Sequence, residues 1–366
     1  MLERCFTHRL LSPADLKPSR DGLEVIGVFN PAAVARDDGT IVLMARVAER
    51  PTDQRPGFHA LPRWSFDGPE PELLVEYLPE DQDILVDPRK VVRAADQLMR
   101  LKFVSHIRVF TLSPDGRSVT GELHSLDCQG PCETFGVEDA RITPIDGEYW
   151  VSYVSVSEHG ACTSLATTTD FQSYNRLGVC FAPENKDVVL CPERVHGRLV
   201  ALHRPNTFQR FCKPEMWAAQ SNDGKDWGTH KPVWSGRYAW DSDRIGAGTP
   251  PVLLDDHTLL EVYHGSERST VKGKVGAYRA GLLGLNREAP WEVVKHTPEP
   301  VMAAQEPWEQ EGFVPDVVFP TGVVMPGVQT HAVPTDNDEL LMFYGAADTH
   351  IGVAGYRVGD LKAALR

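Results

Sequence analysis

The sequence predicts an all-β fold, a five-bladed β-propeller with a short C-terminal helix, and three observations carry that expectation. Pro (28) and Gly (30) make up about a sixth of the 366 residues and are spread along the whole chain, so long helical periods are hard to find. Short β-rich runs recur instead: Thr40–Val47, Gln97–Val109, Trp150–Val156, Leu199–His203, Leu259–His264 and Leu340–Tyr344. The third observation is a loose repeat. Trp64-Ser65-Phe66-Asp67-Gly68, Thr111 to Gly116, Thr167 to Phe171 and Ala219 to Gly224 each join a strand end to a polar turn. Their spacing of about 50 residues is that of a four-stranded blade.

Five such blades fit this length and seven do not. We therefore read residues 1–366 as one domain, with a β-sandwich carrying extra domains as the rival. Asp-Gly pairs at 38–39, 67–68, 115–116, 146–147 and 223–224 lie between β-rich runs and read as hairpin turns. The tail, Asp360 to Arg366, reads as the one helix, with Asp360 as its cap.

Composition excludes several classes of function. Hydrophobic residues are 42% and charged residues 24%, the balance of a globular protein with a sizeable core. Net charge is −14, which repels phosphate backbones and anionic lipid, so no nucleic acid and no membrane are expected as partners. No apolar run approaches a membrane span, and the N-terminus lacks the pattern of a signal peptide. Seven cysteines, an odd number, argue against a disulfide framework and for a reducing, cytoplasmic setting. The 13 His form no HExxH and no zinc-spaced Cys/His pair, so no metal is expected.

Five constellations carry candidate chemistry. Phe135 to Ile142 packs Glu138, Asp139 and Arg141 into four residues, and on a regular strand Asp139 and Arg141 share a face while Glu138 opposes them. Asp139 is a candidate general acid; a structural Asp–Arg pair is the alternative. Glu184 to Glu193 is followed by Leu199 to Pro205, where Arg204 ends an apolar strand. A charge there is costly unless it meets an anion. Leu202 and Arg204 share one face, and His203 takes the other.

The third is Arg244 to Pro251 followed by Glu261 to Gly265. Its Gly-x-Gly is not a nucleotide loop, because Pro250 and Pro251 prevent the helix that would hold a phosphate. Those glycines fit close backbone approach, and His264 reads as a core histidine. The last two are Pro307 to Gly322 and Leu341 to Thr349, which place Glu309 and Asp348 near strand ends. Trp308, Trp240 and Tyr278 are candidates for stacking on sugar faces or for the core.

Taken together these segments resemble glycoside hydrolase family 130, the β-mannoside phosphorylases and β-mannosidases. Phe29-Asn30-Pro31, Gly136 to Arg141, Asn185-Lys186-Asp187, His203-Arg204-Pro205, Ile245 to Gly248, Tyr263-His264-Gly265 and Gly345 to Thr349 stand in the family's order. Arg46 to Glu49 and Asp87 to Val91 look most like the branch acting on β-1,2-linked mannosides.

The resemblance implies a five-bladed propeller and inverting cleavage of a terminal β-mannosyl bond. Asp139 would be the acid, its proton passing in relatives through a sugar hydroxyl. Asn30, Arg46, Arg141, Tyr278, Glu309 and Asp348 would hold the substrate, and Lys186, Arg204 and His264 would bind phosphate. The expected co-substrate is inorganic phosphate, with no other cofactor.

Phosphorolysis is favoured over hydrolysis because an inverting hydrolase needs a second carboxyl as base, whereas phosphate arrives anionic and needs cations. Glu261 and Glu267 keep a β-1,2-mannosidase open, and a non-catalytic sugar-binding propeller is the third reading. The loops 50–63 and 207–217 are expected to set the acceptor, and a homo-oligomer stays open.

Overall fold

The computed structural model describes residues 1–87, 89–206, 211–269 and 276–366. The protein is nearly all-β. Four antiparallel strands, Leu23–Ala35, Ile41–Pro51, Val104–Leu112 and Val119–Leu126, form a first unit. A second, Gly136–Ile145, Glu148–Ser157, Gly160–Thr168 and Asn175–Phe181, touches it through one parallel bridge, Gly136 to Ser105. Two more follow: Asn185–Leu190, Leu199–Pro205, Met216–Ser221 and Trp227–Trp234, then Arg244–Ala247, Thr258–Ser266, Tyr278–Asn286 and Ala289–His296. In the last sheet Val318–Val324, Glu339–Ala346 and His350–Arg357 are joined by the N-terminal strand Phe6–Leu11, so the two ends of the chain share one sheet.

The first strands of these units pack in succession. Leu23–Ala35 touches Gly136–Ile145, which touches Asn185–Leu190, which touches Arg244–Ala247. Val318–Val324 packs on both Leu23–Ala35 and Thr258–Ser266. The core lies between neighbouring sheets; Val42, Met44, Ile107, Val151 and Ala166 form one cluster and Leu260, Leu282, Met342 and Tyr356 another. Burial of such side chains contributes about 1.5–3 kcal/mol each.

All five Asp-Gly pairs connect adjacent antiparallel strands. The phrases at 111–116, 167–171 and 219–224 occupy equivalent places, each between the third and fourth strand of its unit. The phrase at 64–68 does not. It closes a hairpin, Phe58–Ser65 with Glu72–Pro79, that belongs to an insertion after Ile41–Pro51. A three-stranded sheet, Asp83–Val86, Lys90–Arg93 and Met99–Leu101, completes the insertion. The run Gln97–Val109 is accordingly two strands with a break at Lys102-Phe103.

The terminal helix runs over Val358–Ala364, two residues earlier than the sequence suggests, with Arg357 at its cap. The reason is that the amides of Val358 and Gly359 find the carbonyls of Asp338 and Asp336, so Asp360 is not needed to cap them. Val358 and Leu361 are buried against the last sheet. A four-residue helix, Pro307–Gln310, is an element the sequence did not suggest. Among the described residues no helix is long and apolar enough to cross a membrane.

Candidate active site

Three first strands break register at one polar residue each. Asn30 falls in the shift between Phe29 and Ala32, Asp139 between Glu138 and Arg141, and Asp187 between Lys186 and Val189. All three have left-handed backbone, φ 49°, 49° and 55°, which Asn and Asp tolerate better than other side chains. A bulge re-aims a side chain out of the alternating pattern.

The bulge at Asp139 overturns the face assignment made for a regular strand. Arg46 reaches both acids, with Nη2 donating to Glu138 Oε1 at 2.6 Å and Nη1 to Asp139 Oδ1 at 3.0 Å. Asn30 Nδ2 donates to the same Asp139 Oδ1 at 2.9 Å. Both donors use one oxygen, and the side chain keeps 12% of its surface exposed. Burial pushes the Asp139 carboxyl up, but Arg46, Arg141, Asn30 and Lys186 together hold it below the usual carboxylate range. Asp348, also left-handed at φ 50°, behaves oppositely. Burial pushes it up to about 6 against the pull of Arg46 and Arg89, and the negative charges of Asp139 and Glu138 add to the rise.

Arg141 turns from the Asp139 carboxylate to the backbone. Its Nη1 donates to the Asp139 carbonyl at 2.5 Å and its Nε to the Gly248 carbonyl at 2.8 Å. Its Nη2 lies 3.8 Å from Asp187 Oδ1. Asp187 is the centre of a second cluster: Arg204 Nη1 is 2.5 Å and His264 Nε2 3.2 Å from its Oδ2. Burial raises the Asp187 carboxyl, yet Arg204, His264 and Arg141 leave it far below its ordinary value. Burial pushes His264 down, so the ring is neutral at pH 7; it packs on Phe319 at 4.2 Å and stacks with Tyr278 at 5.9 Å. Lys186 pairs directly with Arg204 across the strands, which puts both side chains on one face. His203 takes the opposite face, against Asn185 and Phe181.

The glycines of Ile245 to Gly248 serve close approach. A Cβ on Gly246 would lie 2.3 Å from Asp187 Oδ2, and one on Gly248 2.3 Å from the Val262 carbonyl. Glu261 is fully buried, accepts from the Gly248 amide at 3.1 Å, and is pushed well above the usual carboxylate range by burial. Glu267 is paired with Arg279 at 2.9 Å.

Asn30, Arg46, Arg141, Asp348 and Asp139 thus gather around one centre, and Lys186, Arg204, His264 and Tyr278 around its neighbour. Glu309 stands apart. It has no exposed surface and accepts from Arg4 at 2.6 Å, Tyr344 at 2.5 Å, and the amides of Gln305 and Glu306. Trp240 packs on Tyr263 in the core, and Trp308 stacks on Tyr344. Residues 58–63 are strand, not loop, and residues 207–210 of the second expected acceptor loop lie outside the described residues.

Asp187 is the residue that sequence reasoning missed. The argument that Arg204 must meet an anion pointed to it, since it follows Lys186 directly. Arg89 and Lys90 also escaped notice, for lack of any signal that the insertion folds back to the site, and Glu138 was assigned to the opposite face because the bulge at Asp139 leaves no mark in the sequence pattern.

A family model described as β-1,4-mannooligosaccharide phosphorylase matches residues 125–364. The β-1,2-mannobiose phosphorylase of Listeria innocua is 35% identical over 358 residues, 96% of this chain and 95% of that protein. The 1,2-β-oligomannan phosphorylase of a Thermoanaerobacter species is 36% identical over 236 residues, 63% of this chain and 71% of that protein. A solved structure of the Listeria innocua β-1,2-mannobiose phosphorylase with β-1,2-mannobiose superposes with a TM-score of 0.86 at 32% identity, covering 98% of each chain. With a family model over most of its length and a relative matched nearly end to end, this chain belongs to glycoside hydrolase family 130.

Proposed function

We propose that the protein is an inverting β-mannoside phosphorylase acting on β-1,2-mannobiose or short β-1,2-mannooligosaccharides. The β-1,2 preference follows the names of its relatives. Its frame is a five-bladed propeller: five antiparallel units whose first strands pack in succession, with the last closed by the N-terminal strand. Asn30, Asp139 and Asp187, at matching bulges, then face the common axis.

The observation that carries phosphorolysis is the state of the carboxyls. An inverting hydrolase needs a carboxylate base across the sugar from the acid. Asp187 is held too acidic to take a proton and is covered by Arg204 and His264. Glu261 has no exposed surface and is engaged by the Gly248 amide, and Glu267 is engaged by Arg279. Asp348 has the basicity, but besides Arg89 its charge neighbours are Arg46, Asp139 and Glu138, on the side of the acid. A phosphate dianion needs no base.

In the mechanism Asn30 and Arg46 fix Asp139 Oδ1, so the second oxygen delivers the proton, which this carboxylate, kept ionised by its cations in the free protein, takes up as the phosphate anion enters and raises its proton affinity. Arg46 and Asp348 hold the mannosyl unit with Arg141 beneath. Phosphate oxygen attacks the anomeric carbon as the glycosidic C–O bond breaks, and the departing oxygen takes the proton. The products are α-mannose 1-phosphate and a shortened acceptor, and the proton that phosphate brought replaces the one Asp139 gave. We place the reaction in the cytoplasm, with phosphate the only co-substrate.

Incubation with β-1,2- and β-1,4-mannobiose, with and without phosphate, tests the reading. α-Mannose 1-phosphate from the β-1,2 sugar only when phosphate is present is the expected result. Free mannose released equally fast without phosphate rejects it in favour of a β-1,2-mannosidase.

A further inference from the structure

Arg204 and Arg141 share the carboxylate of Asp187, and His264 is neutral, so the cluster offers an incoming anion less charge than its residue types suggest. Further cations come from two other elements. At the start of Lys90–Arg93, Asp87 Oδ1 accepts from the amides of Arg89 at 2.7 Å and Lys90 at 3.1 Å. The Asp87 amide donates to the Lys90 carbonyl at 3.0 Å, and the Arg89 carbonyl accepts from the Lys102 amide at 2.9 Å. These bonds pin the backbone of Arg89 and Lys90.

Lys90 pairs across from Leu101, which packs with Phe29, Ala48 and Phe103, and Arg46 lies over the Phe103 ring at 5.8 Å, so this end of the insertion stands beside the site. Arg89 acts on Asp348. Burial lowers the Lys90 ammonium, and after the opposing pull of Asp87 the charges of Arg89, Lys186 and Arg244 lower it further. The Asp87 carboxylate is 4.0 Å from Lys90 Nζ, too far for a hydrogen bond. Arg244 arrives from the other side. It lies two residues before Gly246 on the same strand face, and Gly246 abuts the Asp187 carboxylate, so Arg244 stands one pleat along from the Arg204–Asp187 pair. It is paired with Asp243 at 2.9 Å. Lys186 shares the face of Arg204. Three part-buried cations from distant stretches of an acidic chain thus stand on the sides of the Arg204–Asp187 pair and within electrostatic reach of one another, an arrangement that an anion between them stabilises.

We propose that Lys90, carried in by the insertion, and Arg244 complete the phosphate site around Lys186, with the Arg204–Asp187 pair as its floor. The ligand is the phosphate dianion, free in one direction and as α-mannose 1-phosphate in the other. This assignment rests on the phosphorolytic reading and adds two binding residues to it.

Steady-state rates in both directions test it, with Lys90→Ala, Lys90→Arg and Arg244→Ala beside the wild type. Each alanine variant raises the KM for phosphate and for α-mannose 1-phosphate about tenfold or more. The KM values for mannobiose and mannose stay near wild type, and Lys90→Arg retains most of the phosphate affinity. In thermal melts the alanine variants match the wild type in chloride and gain less from added phosphate. An unchanged phosphate KM in Lys90→Ala overturns the proposal, as does an equal rise in the sugar KM, the mark of a merely structural role. A wild type that cleaves equally well without phosphate fails the parent reading first and takes this assignment with it.

Discussion

Arg204 Nη1 stands 2.5 Å from Asp187 Oδ2, a buried ion pair whose partners lie 17 positions apart on neighbouring strands. The pair explains how a guanidinium can end an apolar strand: its counter-ion is built in and is itself held by His264 and Arg141. Breaking such a pair from one side leaves an uncompensated buried charge, a loss of about 3–5 kcal/mol.

Asp187→Asn is therefore expected to melt well below the wild type. Because the folded protein holds this carboxyl below its unfolded value, its stabilisation is fully present above about pH 4 and drains away in acid, so the difference between variant and wild type shrinks there. Phosphate or sulfate, compared with chloride at matched ionic strength, restores more of the variant's melting temperature than of the wild type's. A melting temperature equal to the wild type's in chloride rules the argument out.

What the sequence made legible was set by short-range chemistry. Asp-Gly turns and β-branched runs lie within a few residues, and they located the hairpins and most strands. The equivalence of 111–116, 167–171 and 219–224 was visible for the same reason. Arg46 bridging Glu138 and Asp139 was not, because a bulge breaks the two-residue alternation that sequence patterns rely on. Lys90 was invisible as a site neighbour because only the fold brings the insertion back. Glu309 illustrates the converse: the carboxylate was legible as a candidate near a strand end, whereas its ion-pair partner Arg4, 305 residues away, was not.

Asp139→Asn is expected to fold and to lose turnover by about two to four orders of magnitude. The amide oxygen still accepts from Asn30 and Arg46, and Arg46 keeps Glu138 at 2.6 Å, so the melting temperature changes little. Rates with β-1,2-mannobiose and phosphate decide it. A turnover number within a few-fold of wild type removes Asp139 from the role of acid.

Asp348 gives a pH signature. Its carboxyl is pushed up to about 6, so between the unfolded value near 4 and about 6 the folded state binds the proton more tightly. Stability from this group is then full in acid and falls as pH rises through that window. Asp348→Asn cannot ionise and escapes the fall. Since the side chain lines the cleft and keeps some solvent contact, the gain at neutral pH is on the order of 1 kcal/mol, with none near the lower end of the window. Paired melts across pH measure it, and parallel curves for the two proteins contradict it.

Glu309 and Arg4 form another buried ion pair, 2.6 Å between Oε1 and Nη1, with Tyr344 donating to the same oxygen and Arg4 Nη2 donating to the Ala303 carbonyl at 2.6 Å. Glu309→Ala strands Arg4 and is expected to cost about 3–5 kcal/mol. Glu309→Gln, with the other partners kept, costs less, and adding Arg4→Met to it recovers part of the loss, as coupled neighbours do. If Glu309 supports the wall and does not hold the sugar, Glu309→Gln leaves the mannobiose KM near wild type while lowering the melting temperature. The opposite pattern, an unchanged melt with a tenfold rise in that KM, would return Glu309 to the sugar-binding role that the family resemblance implies.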